Sequence, residues 1–178
     1  MWEKTDIKEI LFSEGQIKER AAELGAQISA DYDEAPLLVA LLRGSVPFLS
    51  ELIKHIDLDI QYDFMDVTSY AGTESTGQIK ILKDLDTPVR GRHVLLVEDI
   101  VDTGRTIKTV CEMLLHNGAK SVKIVTLLDK PARRTIGVNA DYIGFSIDDL
   151  FVVGYGMDFN QRYRCLPYIG VLNDELYK

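Results

Sequence analysis

Within Val94 to Thr106, VLLVEDIVDTGRT, three carboxylates (Glu98, Asp99 and Asp102) lead into a Thr103-Gly104-Arg105-Thr106 turn that opens a helical pattern. A helix start offers unpaired N–H groups and the positive end of a dipole, which suits a phosphate. Carboxylates beside a phosphate repel it. These three must therefore face something else: sugar hydroxyls, a metal ion, or a proton to be moved. Other polar residues stand where apolar runs end, in Leu42-Arg43-Gly44-Ser45, at Lys130 after LLD, and in GMDFN, which carries Asp158. Each has a plainer reading. Acids at a helix start can simply cap it, LRGS can be an ordinary strand-to-helix turn, and Lys130 can be a solvated surface lysine.

Two nucleotide motifs are ruled out. Gly72 and Gly77 have the spacing of a Walker A loop, but Gln78-Ile79 follow where Lys and Ser/Thr belong, and no GxGxxG occurs. An ordinary NTPase or dehydrogenase is disfavoured.

An acidic pair, two apolar residues, Asp-Thr-Gly, a basic residue and Thr resemble the phosphoribosyl-pyrophosphate (PRPP) signature of the type I phosphoribosyltransferases. The form EDIVDTGRT, with LLRGSVPF upstream and LLDKPARR and FVVGYGMDFN downstream, is similar to the purine branch, the hypoxanthine-guanine enzymes of bacterial type. The four motifs keep that family's order and spacing over nearly the whole chain.

The resemblance implies roles residue by residue. The loop of Asp102, Thr103, Gly104, Arg105 and Thr106 would hold the 5′-phosphate, with Glu98 and Asp99 facing the ribose hydroxyls. Asp102 would sit near the purine N7 as general acid or base. Arg43 and Gly44 would form a pyrophosphate loop behind a cis peptide at Leu42-Arg43, and Arg164 would reach the same diphosphate. Ser69 and Tyr70 would belong to a lid formed by SYAGTESTGQ, although Gly/Ser-rich hairpin loops are commonly just loops. Lys130 would donate to the 6-oxo group, Phe151 would stack on the base, and Val152 would offer backbone groups to its edge. Asp158 would lie at the purine site and help hold Mg2+ with Glu98 and Asp99. The departures are Arg43, where many relatives carry Lys, and Thr68, where many carry Ser.

The implied partners are PRPP and a 6-oxopurine (hypoxanthine or guanine, with xanthine a further candidate), and the implied assembly is a homodimer or homotetramer. The chemistry agrees with these assignments. Displacing pyrophosphate builds oxocarbenium character at C1′, which fixed negative charge stabilises. The incoming purine must lose a proton, which a placed carboxylate can accept.

The elements that position these residues follow from periodicity. Ser13 and Gln16 form a capping-box pattern, after which Ile17, Ala21, Leu24 and Ile28 share a helical face. Leu37 to Leu42, Val94 to Val97 and Val122 to Leu128 read as buried parallel strands. Ser45 can cap a helix in which Phe48, Leu49, Leu52, Ile53 and Ile56 recur, with Pro47 in its first turn. A strand over 58–67 pairs with 79–83, a helix carries Ile107, Val110, Cys111 and Leu114 and stops at Asn117-Gly118, and short strands are expected at 142–145 and 151–154. The expected fold is a single α/β domain over residues 1–178, a mostly parallel twisted sheet flanked by helices. The resemblance adds a small hood over the base site. Ligands in such sheets bind beyond the strands' carboxyl ends, where all four motifs fall.

Composition narrows the classes further. The chain has 178 residues, 46% of them apolar, and a net charge of −8. That charge argues against nucleic acid as the main partner. It counts equally against a PRPP-sensing regulator of the same fold that binds nucleic acid, which needs a basic face or an added helix-turn-helix. An adenine or pyrimidine transferase is disfavoured by Lys130 and FVVGYGMDFN. No apolar run approaches a membrane span, MWEKTDIKEI is too charged for a secretion signal, and Cys111 and Cys165 form no framework. A cytoplasmic protein is expected. His55, His93 and His116 are scattered and take no catalytic role.

Overall fold

A computed structural model describes residues 6–69 and 79–177, with Ser69 described by its backbone alone. Two sheets are present among them. The larger has the order β4-β3-β2-β5-β6-β7, with strands β2 (Leu37–Leu41), β3 (Gln61–Ser69), β4 (Ile79–Lys83), β5 (His93–Val101), β6 (Ser121–Asp129) and β7 (Tyr142–Ser146). Five run parallel, and β4 pairs antiparallel to β3 at the edge.

Alternation along the central strands explains the layers. Leu38, Ala40, Leu95 and Val97 face helices α1 (Glu14–Asp31) and α2 (Val46–Leu52). Leu37, Val39, Val94 and Leu96 face the opposite way, onto Ile107, Val110 and Leu114 of α3 (Arg105–His116). Strands covered on both faces have no polar side to show, hence their unbroken apolar runs.

Helix α1 begins with the expected capping box: Ser13 Oγ accepts from Gln16 N, and the Gln16 side chain accepts from Ser13 N. Gly118, at φ +93°, follows the end of α3 as foreseen. Ser45 behaves differently. It precedes α2, but its hydroxyl donates back to Leu41 O and makes no cap. Helix α2 is also shorter than its apolar spacing suggested, tightening into a 3-10 turn at Ile53–His55.

The second sheet is the hood. Strands β1 (Ile7–Phe12), β9 (Ile169–Leu172) and β8 (Val152–Val153) pair antiparallel in that order. Neither β1 nor β9 was anticipated from local pattern. Among the described residues no helix is long and apolar enough to cross a membrane.

Candidate active site

Strand β5 runs four residues further than its apolar run, so Glu98 and Asp99 lie within the strand and not after it. Glu98 is buried and Asp99 partly exposed. Burial, and then the neighbouring Asp99 charge, push the Glu98 carboxyl well above the usual carboxylate range. Burial raises Asp99 too, opposed by the Ile100 N–H at 2.8 Å and by the positive charge of Arg164. Two acids in this state hold protons more tightly than water-exposed ones and favour a cation that would let them ionise.

The loop after β2 meets these acids directly. The Leu42–Arg43 peptide is cis, as the resemblance implied. A Cβ on Gly44 would collide with the Asp99 carboxylate, so this close approach requires glycine. On its other side Gly156, at φ +102°, is packed so tightly that a Cβ would strike Gly44 O. Arg164 belongs to this hood loop: Nη1 donates to Gly156 O at 2.7 Å and Nη2 lies 2.7 Å from Asp158 Oδ1. Asp158 Oδ2 accepts from Gln161 N at 2.8 Å. Arg164 and Asp158 thus engage each other, where the sequence reading assigned one to pyrophosphate and the other to metal.

The signature turn follows the strand. Gly104 adopts φ +82° just before α3, and a cavity of about 210 Å³ is lined by Glu98, Asp99, Asp102, Thr103, Arg105 and Thr106. The N-terminus of α3 opens at this cavity, a placement suited to an anion.

After β6, Lys130 is only 7% exposed and its Nζ donates to Leu150 O at 2.5 Å. Burial pulls its pKa down, while the charges of Asp102 and Asp149 pull it back up. A surface lysine is thereby excluded. Phe151 remains 36% exposed, while Val152 is buried. A second cavity, about 290 Å³, gathers Asp99, Ile100, Asp102, Lys130, Phe151 and Asp158 from three separate motifs. A larger cavity of about 520 Å³, around Tyr32, His93 and Lys123, lies at the opposite ends of the strands and contains no predicted residue.

Several contributors escaped the sequence reading. Arg134 Nη1 donates to Asp102 O at 2.6 Å, and its other arm pairs with Asp129. Thr135 N donates to Thr103 O at 3.2 Å. Arg133 Nε lies 3.0 Å from Asp102 Oδ1, and its Nη1 lies 3.3 Å from Asp149 Oδ1. The segment after β6 thus straps the signature turn; the signal was the adjacent basic pair in LLDKPARR, of which only Lys130 was singled out. For the lid, Ser69 ends β3 opposite Ile79, and Tyr70 to Gln78 lie outside the described residues.

Residues 9–160 match the model of the phosphoribosyl transferase domain family. The chain belongs to the phosphoribosyltransferase family. This phosphoribosyltransferase is 50% identical over 177 residues to the hypoxanthine-guanine phosphoribosyltransferase of Bacillus subtilis (strain 168), covering 98% of each chain. It is 51% identical over 176 residues to the enzyme of that name from Streptococcus agalactiae (strain NEM316), again covering 98% of each. The fold superposes on a crystal structure of a hypoxanthine phosphoribosyltransferase from Staphylococcus aureus with a TM-score of 0.94 at 49% identity, covering 98% of this chain and 96% of that one.

Proposed function

We propose that this phosphoribosyltransferase salvages hypoxanthine and guanine, converting each with PRPP to the nucleoside monophosphate and pyrophosphate. The observation that carries this reading is the convergence of the signature turn, the Gly44 loop and the Lys130–Phe151 wall on adjoining cavities at one end of the sheet. In the transfer, the bond from C1′ to the diphosphate oxygen breaks and a bond from C1′ to a purine ring nitrogen forms, with inversion. The α3 N-terminus holds the 5′-phosphate, with Thr103 and Thr106 beside it. Glu98 and Asp99 face the ribose, where their negative charge supports the electron-poor C1′. Asp102 takes the proton the purine must lose. Lys130 donates to the 6-oxo group, a contact adenine cannot match, and a site built to hydrogen-bond such a group rejects analogues lacking it.

Magnesium fits this site through Glu98 and Asp99, neighbouring acids whose carboxyls burial raises above their ordinary range, so that a cation beside them would favour their charged forms. No cluster of three or more ligating side chains occurs among the described residues, in keeping with an ion held by one or two carboxylates plus substrate oxygens. Bound there, it would neutralise the departing diphosphate. Asp158, committed to Arg164, is the weakest member of the expected set. Assembly as a dimer or tetramer is part of the same reading and rests on the resemblance, and residence in the cytoplasm rests on the composition of the sequence.

The test is a product assay with PRPP and magnesium, offering hypoxanthine, guanine, xanthine, adenine and uracil separately. Nucleotide from hypoxanthine and guanine, but not from adenine or uracil, is expected. Product from adenine, or from no base, would overturn the assignment.

A further inference from the structure

Tyr177 belongs to none of the motifs above. It follows a single 3-10 turn at Asp174–Leu176, and its ring stacks on Phe151 with centroids 4.5 Å apart and planes at 22°. The Tyr177 hydroxyl donates to Asp174 Oδ1 at 2.7 Å. Phe159 meets Phe151 at right angles with centroids 5.6 Å apart. Strand β9 runs beside them, since Leu172 N donates to Phe151 O at 2.9 Å.

Phe151 is a wall shared by two cavities. On one side it lines the 290 Å³ space with Ile100, and on the other a space of about 410 Å³ with Tyr177, Arg133 and Asp149. Both spaces reach Asp102 and Lys130. A half-exposed aromatic ring between two openings has room to turn unless a neighbour holds it. A ring that must be ordered when ligand arrives weakens binding, whereas one already held does not. Offset-stacked aromatic pairs have the geometry to do this.

We propose that Tyr177 is a positioning residue of the base site: it backs Phe151 and holds that ring in the orientation that stacks on the purine. The assignment rests on the proposed function, because Phe151 has a purine to meet only if that reading holds.

The experiment measures the Michaelis constants for hypoxanthine and for PRPP separately in the wild-type protein and in Tyr177→Ala, Tyr177→Leu and Tyr177→Phe, with a thermal melt of each. The Ala and Leu variants are expected to raise the KM for hypoxanthine roughly three- to tenfold. KM for PRPP and kcat should stay within about twofold. Tyr177→Phe keeps the stack and should keep the wild-type value. Tyr177→Leu retains bulk, so the comparison survives if the Ala variant folds poorly. An unchanged hypoxanthine KM in the Leu variant, or equal rises in both constants, would overturn the role. A fall in hypoxanthine KM would overturn it too, because the ring would then be competing with the base. The wild-type assay judges the function itself: nucleotide formed by the wild type, with no shift in the variants, removes only Tyr177.

Discussion

Arg133 Nε stands 3.0 Å from Asp102 Oδ1 but is not aligned to donate to it, and that buried oxygen has no hydrogen-bond partner. The pair therefore supplies charge compensation while leaving an acceptor lone pair unused. Under the proposed function, that lone pair is the one open to the purine proton. Arg133→Ala is expected to lower kcat/KM for hypoxanthine about tenfold, with Arg133→Lys recovering part of the loss. Because the pair is half-exposed, unfolding free energy should move by less than about 1 kcal/mol. Steady-state kinetics beside a denaturant titration separates the two, and full activity in the Ala variant would show that the pair is only a surface bridge.

Asp102 itself carries the sharper expectation. Asp102→Asn keeps the size and polarity of the side chain but cannot take a proton. Turnover should fall by about 10²- to 10⁴-fold, while PRPP affinity measured by calorimetry stays within a few-fold. Unchanged turnover would remove Asp102 from the proton-transfer role.

Gly44 should tolerate no side chain. In Gly44→Ala the new methyl group meets the Asp99 carboxylate, which must swing away. The cost to stability is that of overpacking, about 1–3 kcal/mol. The functional cost should be larger, with kcat/KM for PRPP down at least tenfold. A melt and a PRPP saturation curve measured on the same sample check both; a variant with wild-type PRPP kinetics would mean that the contact has no part in binding.

Lys130 gives a pH dependence with a definite sign. Burial, its largest influence, lowers its pKa below the ordinary 10.5. At neutral pH the folded state therefore carries a charged group it disfavours. Between the folded value and 10.5 the unfolded chain binds more protons, so this residue's contribution to stability rises with pH. Lys130→Met should match or exceed the wild-type melting temperature at pH 7, and the difference should shrink as pH approaches 10.5. Activity on hypoxanthine and guanine should fall in the same variant. Melting temperatures of both proteins across pH 7 to 10.5 test the sign, and a gap that widens with pH would contradict it.

What the sequence made legible was whatever depends on neighbours in the chain. The apolar runs of β2, β5 and β6 and the stripe on α1 are set by burial of consecutive or periodic residues, and they appear where expected. The charged pair Glu98-Asp99 looked like the end of a strand, because a buried acid is expensive in an ordinary core; strand β5 instead runs through both, with Glu98 buried and Asp99 partly exposed. Of the hood, only the short strand at 151–154 was legible, and β1 and β9 were not. No residue of β1 is fully buried, so its identity comes from pairings such as Ile7 with Leu172, across nearly the whole chain. The Arg133–Asp102 pair likewise joins residues 31 positions apart, which no local pattern reports.

The contact of Gly156 with Gly44 O ties the hood to the core, backbone against backbone. Gly156 sits in the loop that brings Met157 and Asp158 to the 290 Å³ cavity, and Gly44 in the loop that packs on Asp99. Neither position has a side chain that could flex to absorb a mismatch. The spacing of these two loops is therefore set by backbone atoms alone. Under the proposed function, a base that pushed the hood outward would press on the Gly44 loop as well, so that fit of the base and alignment of the sugar donor would share one backbone contact.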